Sequence, residues 1–143
     1  MPQPSRDAAV GQSDDSVTGC EWIIDAGGCA EAYLRSRPCL EELCDRIVND
    51  LGLHVVGLPL WRSFPEPGGV TGLYLLSESH LACHSWPEHG VVTFNLFCCR
   101  RRQEWPWDLR LRESLLARHV VVRVVERGAP ALLCAHPAVA GCD

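Results

Sequence analysis

The chain has no apolar run approaching the roughly 20 residues that cross a bilayer. Met1–Ser16 is polar and acidic and lacks the apolar stretch of a signal peptide. A protein of the cytoplasm, away from membranes, is the expectation. Basic residues are in the minority, 13 Lys and Arg against 18 Asp and Glu, for a formal net charge of -5. Such a balance gives no footing for a phosphate backbone, so nucleic acid is not an expected partner. No internal repeat is long enough to name. No two-residue Cys spacing of the zinc-finger kind occurs. Nine cysteines are present, but the number is odd and no export signal accompanies them. Cys44, Cys83 and Cys98 sit inside apolar runs, so buried reduced thiols are expected rather than a disulfide framework.

What is there suits one ordinary globular domain: 143 residues, 47% hydrophobic and 22% charged. Residues 1–18, rich in Ser, Asp, Gln and Pro, are expected to form a flexible tail. A domain over 19–128 follows, then a tail over 129–143 that is poorly specified. Cys20–Ala26 reads as a strand ended by Gly27 and Gly28. Leu40, Leu43, Cys44, Ile47, Val48 and Leu51 recur at helical spacing, with Pro38 in the first turn and Gly52 just past the end. A strand is expected over His54–Leu60 and a loop over Phe64–Gly69 (FPEPGG). Strands over Val70–Ser77, Ser79–Trp86 and Val91–Cys99 follow, the last two joined by the turn Pro87–Gly90. Trp105–Ala117 reads as a second helix, with Pro106 in its first turn and Trp107, Leu111, Leu115 and Leu116 on the buried side. His119–Val125 is a last strand. Short connections favour antiparallel neighbours. The expected fold is α+β: a two-layer sandwich with helices on one face of a largely antiparallel sheet.

The stretch Leu76–Gly90 (LSESHLACHSWPEHG) crowds Glu, Ser, His, Cys and Trp around the start of a strand. Core packing does not call for so many functional groups. Ser77-Glu78-Ser79-His80, then His84, then Trp86-Pro87-Glu88, resembles the self-cleavage segment of the bacterial and archaeal S-adenosylmethionine decarboxylase proenzymes. Cys99, twenty residues past Ser79, stands where that family has its catalytic cysteine. Gly69-Val70-Thr71-Gly72 matches its Gly-Val-Ser-Gly, and Glu126-Arg127-Gly128 fits after the last strand. The resemblance spans Glu21–Gly128, with its specific motifs between Phe64 and Cys99.

The resemblance implies that the hydroxyl of Ser79 attacks the carbonyl carbon of Glu78 and turns the amide into an ester. Elimination then frees a chain ending at Glu78, and the new terminus becomes a pyruvoyl group, the covalent cofactor. This chemistry needs a donor for the developing oxyanion and a base for the elimination. The resemblance gives these roles to Thr71 and His84. It makes Ser79 the residue whose ketone takes the substrate amine as a Schiff base, and Cys99 the acid that reprotonates Cα. A cysteine thiol is ordinarily protonated at neutral pH, which suits a donor. Cys98 is assigned to packing, because adjacent strand residues face opposite ways.

For substrate binding, the resemblance points to Phe64 and Trp86 as the two rings that stack on adenine, and to Glu88 as the carboxylate for the ribose hydroxyls. The implied small-molecule substrate is S-adenosylmethionine, decarboxylated for polyamine (spermidine) synthesis. The implied partner is a second copy, since in the family a second subunit completes the site. Some positions depart from the pattern: Thr71 replaces Ser, Asn95 stands where Asp is frequent, and Cys98-Cys99-Arg100 replaces Thr-Cys-Gly, with Arg101 and Arg102 following. An arginine or ornithine decarboxylase using the same pyruvoyl chemistry is the alternative. A zinc site of Cys83, His84, Cys98 and Cys99 is the rival from another class. It is disfavoured by the spacing, and no metal is expected.

Overall fold

The computed structural model describes residues 19–128. Both expected tails lie outside the described residues. In chain order the elements are β1 (Gly19–Gly27), α1 (Glu31–Arg35), α2 (Arg37–Asp50), β2 (Leu60–Ser63), β3 (Val70–Leu76) and β4 (Ser79–Trp86). A single 3-10 turn (Pro87–His89), β5 (Val91–Cys98), α3 (Trp107–Leu115) and β6 (His119–Arg127) complete it. The six strands form one sheet in the order β2-β3-β4-β5-β1-β6, every pair antiparallel. This is the expected α+β sandwich.

The period-2 alternation of the strands decides which face is covered. Trp22, Ile24 and Ala26 of β1, Leu81 and Cys83 of β4, and Val92, Phe94, Leu96 and Cys98 of β5 are all buried on one face. Against them α2 lays Leu40, Leu43, Cys44, Ile47 and Val48, the stripe read from its periodicity. Ser36 caps this helix by accepting from the Cys39 amide at 3.3 Å. Two polar contacts fix its pose: Tyr74 Oη donates to Asp45 at 2.8 Å, and Trp105 Nε1 donates to Asp50 at 2.9 Å. Ser85, the one buried polar side chain among the described residues, donates to the Leu34 carbonyl at 2.8 Å and accepts from the Val70 amide at 2.9 Å. It thereby joins β3, β4 and α1. Gly72 is required beneath Trp61, where an added Cβ would come within 2.5 Å of the indole. The opposite face, with Thr71, Leu73, Leu75, His80, His84 and Trp86, carries no helix among the described residues.

Several sequence expectations are corrected. His54–Leu60 is not a strand: only Val55 makes an isolated bridge, to Leu76, and pairing begins at Leu60. Gly57 takes a positive φ of 72° and Pro59 has no amide to give, so the segment cannot keep a ladder. Helix α1 was not foreseen, because five residues are too few to show a period. Leu116 is exposed rather than buried. It ends α3 in the left-handed conformation, φ 56°. Cys99 falls just outside β5. Glu126 and Arg127 belong to β6 rather than following it.

Candidate active site

Strands β3 and β4 form a hairpin in which Leu76 pairs with Ser79. Only Ser77 and Glu78 make the turn. The Glu78–Ser79 peptide therefore sits at the rim of the sheet, where the chain reverses. Ser79 is half-buried and pairs with Cys98 of the neighbouring β5. Burial pushes the Cys98 thiol above the usual thiol range, against Arg102 and the facing Ser79 side chain, which pull it down. One step further, the Cys99 amide donates to the Glu78 carbonyl at 3.0 Å. The guanidinium of Arg100 grips the Glu78 carboxylate at 2.6 Å. The two adjacent cysteines divide as their alternation predicts: Cys98 is buried and Cys99 exposed.

A second group lies at the other end of β4. Thr71 and His84 are register partners across β3 and β4, and Thr71 Oγ1 meets His84 Nδ1 at 2.9 Å. The His84 and Trp86 rings are 6.1 Å apart, tilted by 40°. Phe64, in the loop before β3, has the Arg62 guanidinium 5.1 Å from its ring centre. Phe64, Thr71, His84, Trp86 and Glu88 together line a cavity of ≈ 420 Å³ on this side. Phe64 and Trp86 keep 45% and 40% of their surface exposed, so neither is spent on the core. Glu88 projects from the 3-10 turn, with His89 Nε2 3.9 Å away. A hollow of ≈ 520 Å³ along α2 is larger, but it is lined by helix-surface groups such as Glu41, Glu42 and Arg46, which are engaged in ion pairs.

Within one chain these two groups do not meet. Ser79 and His84 are five residues apart on a strand, about 17 Å at the usual antiparallel rise. The sequence motif lists them side by side; the strand stretches them apart. Nor do Cys83, His84, Cys98 and Cys99 converge. Cys83 and Cys98 point into the core while His84 and Cys99 do not, and the described residues hold no cluster of three or more metal-ligating side chains.

Sequence reasoning missed a polar network on the uncovered face. His80 stacks on Phe97, centroids 5.5 Å apart and planes within 6°. His80 Nε2 meets Asn95 Oδ1 at 3.2 Å, Asn95 donates to Glu21, and Arg127 pairs with Glu21. The Asn95 hydrogen bond, then Arg127, holds the Glu21 carboxyl below the usual range. The available signal was Glu21 between Cys20 and Trp22, a charge at an alternating position of an apolar strand.

Known proteins resemble this chain in sequence and in fold. The family model described as S-adenosylmethionine decarboxylase matches residues 20–128. A relative from Pelotomaculum thermopropionicum, an S-adenosylmethionine decarboxylase proenzyme, is 42% identical over 112 residues, covering 77% of this chain and 86% of its own. Another of the same name, from Acetivibrio thermocellus, is 34% identical over 115 residues, 79% of this chain and 90% of its own. The crystal structure of the adenosylmethionine decarboxylase from Aquifex aeolicus superposes with a TM-score of 0.65 at 24% identity, covering 79% of this chain and 92% of that one, a likeness of fold. With the match running from the first strand to the end of the last, the chain belongs to the S-adenosylmethionine decarboxylase family.

Proposed function

We propose that the chain is made as a proenzyme, cleaves itself between Glu78 and Ser79, and then decarboxylates S-adenosylmethionine, the product serving polyamine (spermidine) synthesis. One observation carries the cleavage: the carbonyl that Ser79 must attack is already held by the Cys99 amide at 3.0 Å. The Ser79 hydroxyl adds to the Glu78 carbonyl carbon. The C–N bond breaks, and the hydroxyl proton passes to the freed Ser79 amine. A base then removes the Ser79 Cα proton, and the Glu78 carboxylate departs with the hydroxyl oxygen. Water completes the change by releasing ammonia and leaving a ketone.

Ser79 fits this role because it opens β4 directly after a tight turn, half-buried yet at the rim. The pyruvoyl ketone supplies the electron sink for decarboxylation by condensing with the substrate amine. The composition points the same way. All 13 basic residues are arginine and none is lysine, so the lysine that anchors pyridoxal phosphate is missing. Cys99 is exposed beside the turn, which supports its reading as the acid that returns the proton to Cα.

The base is His84. His84 Nδ1 lies 2.9 Å from Thr71 Oγ1; in the tautomer whose Nδ1–H donates there, Nε2 keeps the lone pair that a base needs. Its distance from Ser79 in one chain argues for a second copy. The uncovered face exposes Leu73, Leu75, Trp86, Val121 and Val125. Two such faces packed about a two-fold axis bury this surface. An antiparallel arrangement brings the turn of each chain to the Thr71–His84 end of the other. The homodimer is thus the unit of both cleavage and catalysis.

The ≈ 420 Å³ cavity favours S-adenosylmethionine over arginine or ornithine, because Phe64 and Trp86 offer flat apolar surface at its mouth. A purine uses that surface and a short amino acid does not. The test is carbon dioxide release from each of the three by the same processed protein. Release from S-adenosylmethionine alone is expected. Release only from arginine or ornithine overturns the substrate and leaves the cleavage chemistry standing.

A further inference from the structure

The geometry points to the segment Cys99-Arg100 as the clamp that drives self-cleavage: the Cys99 amide takes the developing oxyanion, and Arg100 neutralises the Glu78 carboxylate beside it. This rests on the cleavage reading above and assigns it a positioning residue that the sequence motif does not contain.

Two contacts converge on Glu78, and a third fixes its neighbour. The Glu78 carbonyl accepts from the Cys99 amide at 3.0 Å. The Glu78 carboxylate accepts from Arg100 Nη2 at 2.6 Å. Ser79, the neighbour of Glu78, is fixed opposite Cys98 by strand pairing. Thus β5 and the residues just past it grip both sides of the bond to be broken. When the Ser79 oxygen adds, the Glu78 carbonyl oxygen becomes an anion. The carboxylate on the same residue opposes that charge, and like charges in proximity raise the cost of forming the second. Arg100 cancels the first charge, and the fixed amide dipole of Cys99 stabilises the second. Position 100 is one of the places where this chain departs from the pattern that the resemblance gives.

Arg100 does not touch the reacting bond, so its effect passes through Glu78. The pair is largely exposed, with side-chain exposures of 71% and 41%, which sets a modest scale and makes it sensitive to salt.

The test follows a pulse-labelled chain made by cell-free translation and measures the rate at which it splits. Arg100→Gly should split roughly three- to tenfold more slowly, Arg100→Lys should fall between, and thermal stability should stay level. High salt should narrow the gap between wild type and Arg100→Gly, because it screens both the ion pair and the repulsion that the pair offsets. Glu78→Gln should remove the need for the cation, so Glu78→Gln/Arg100→Gly should split as fast as Glu78→Gln. Equal rates for wild type and Arg100→Gly overturn the clamp, as does a full Arg100 effect persisting on the Glu78→Gln background. A wild-type chain that never splits overturns the cleavage reading itself.

Discussion

Thr71 Oγ1 and His84 Nδ1 lie 2.9 Å apart across the β3–β4 ladder, at the same register position. That contact orients the imidazole, and the tautomer in which Nδ1–H donates to Thr71 leaves Nε2 as the proton acceptor. His84→Ala should therefore stop at the ester, because addition needs no base of this kind and elimination does. Hydroxylamine should split the trapped ester into two pieces. Thr71→Ser keeps the hydroxyl and should process normally, whereas Thr71→Ala should slow processing about tenfold or more. If His84→Ala processes at the wild-type rate, the base lies elsewhere.

About 17 Å of strand separates Ser79 from His84, so a composite site makes a complementation prediction. Co-expressed Ser79→Ala and His84→Ala chains form mixed dimers. One of the two sites then contains Ser79 from the His84→Ala chain and His84 from the Ser79→Ala chain. The His84→Ala chain should split in that mixture, though it stalls alone. Mass spectrometry of the mixture reads this directly. No splitting in confirmed mixed dimers contradicts the composite site.

Cys98 and Cys99 are adjacent but face opposite ways, and the consequences should differ. Cys99→Ala should still split yet lose most carbon dioxide release, since only turnover needs its thiol. Its backbone amide survives the change, so the oxyanion contact survives too. Cys98→Ser should leave turnover largely intact and lower stability by about 1–3 kcal/mol, the scale of a polar group placed in a buried site. Normal turnover by Cys99→Ala would assign the proton to another donor.

Phe64 and Trp86 should each contribute about 1–3 kcal/mol to binding of S-adenosylmethionine, the scale of one base–aromatic stack. Titration of processed Phe64→Ala by calorimetry measures it. Glu88→Gln should also weaken binding, because a carboxylate accepts from hydroxyls better than an amide does. Splitting of Phe64→Ala should match wild type, since the Phe64 ring has no part in the acyl shift or the elimination.

Glu21 carries the prediction on pH. Asn95 and Arg127 lower its folded pKa relative to the unfolded chain. Its stabilisation is therefore present above the unfolded carboxylate pKa and is lost as pH falls through the folded value. Thermal melts of Glu21→Gln should lie below wild type near neutrality, and the gap should close in acid. A gap that does not change with pH would assign the effect to packing.

Much of the fold was legible because the local signals were strong. The α2 stripe from Leu40 to Val48 and the alternation through β4 and β5 each announce a period. Val55–Pro59 misled because Val-Val beside Leu resembles a strand, while the sterics of Gly57 and Pro59 decide otherwise. That Cys98 is buried and Cys99 exposed was legible from alternation alone. The separation of Ser79 from His84 follows from a five-residue spacing on a strand, yet a motif read as a string conceals it. The Arg100–Glu78 contact was not legible, since it joins residues 22 positions apart through strand pairing.

The mass of the purified wild-type protein tests the central claim most directly. The account predicts two polypeptides, one ending at Glu78 and one beginning at position 79, the second lighter by one ammonia than simple hydrolysis would leave it. Ser79→Ala should give a single uncut chain. A wild-type chain that remains whole after prolonged incubation, or a second piece that begins with a free serine amine, would contradict the account.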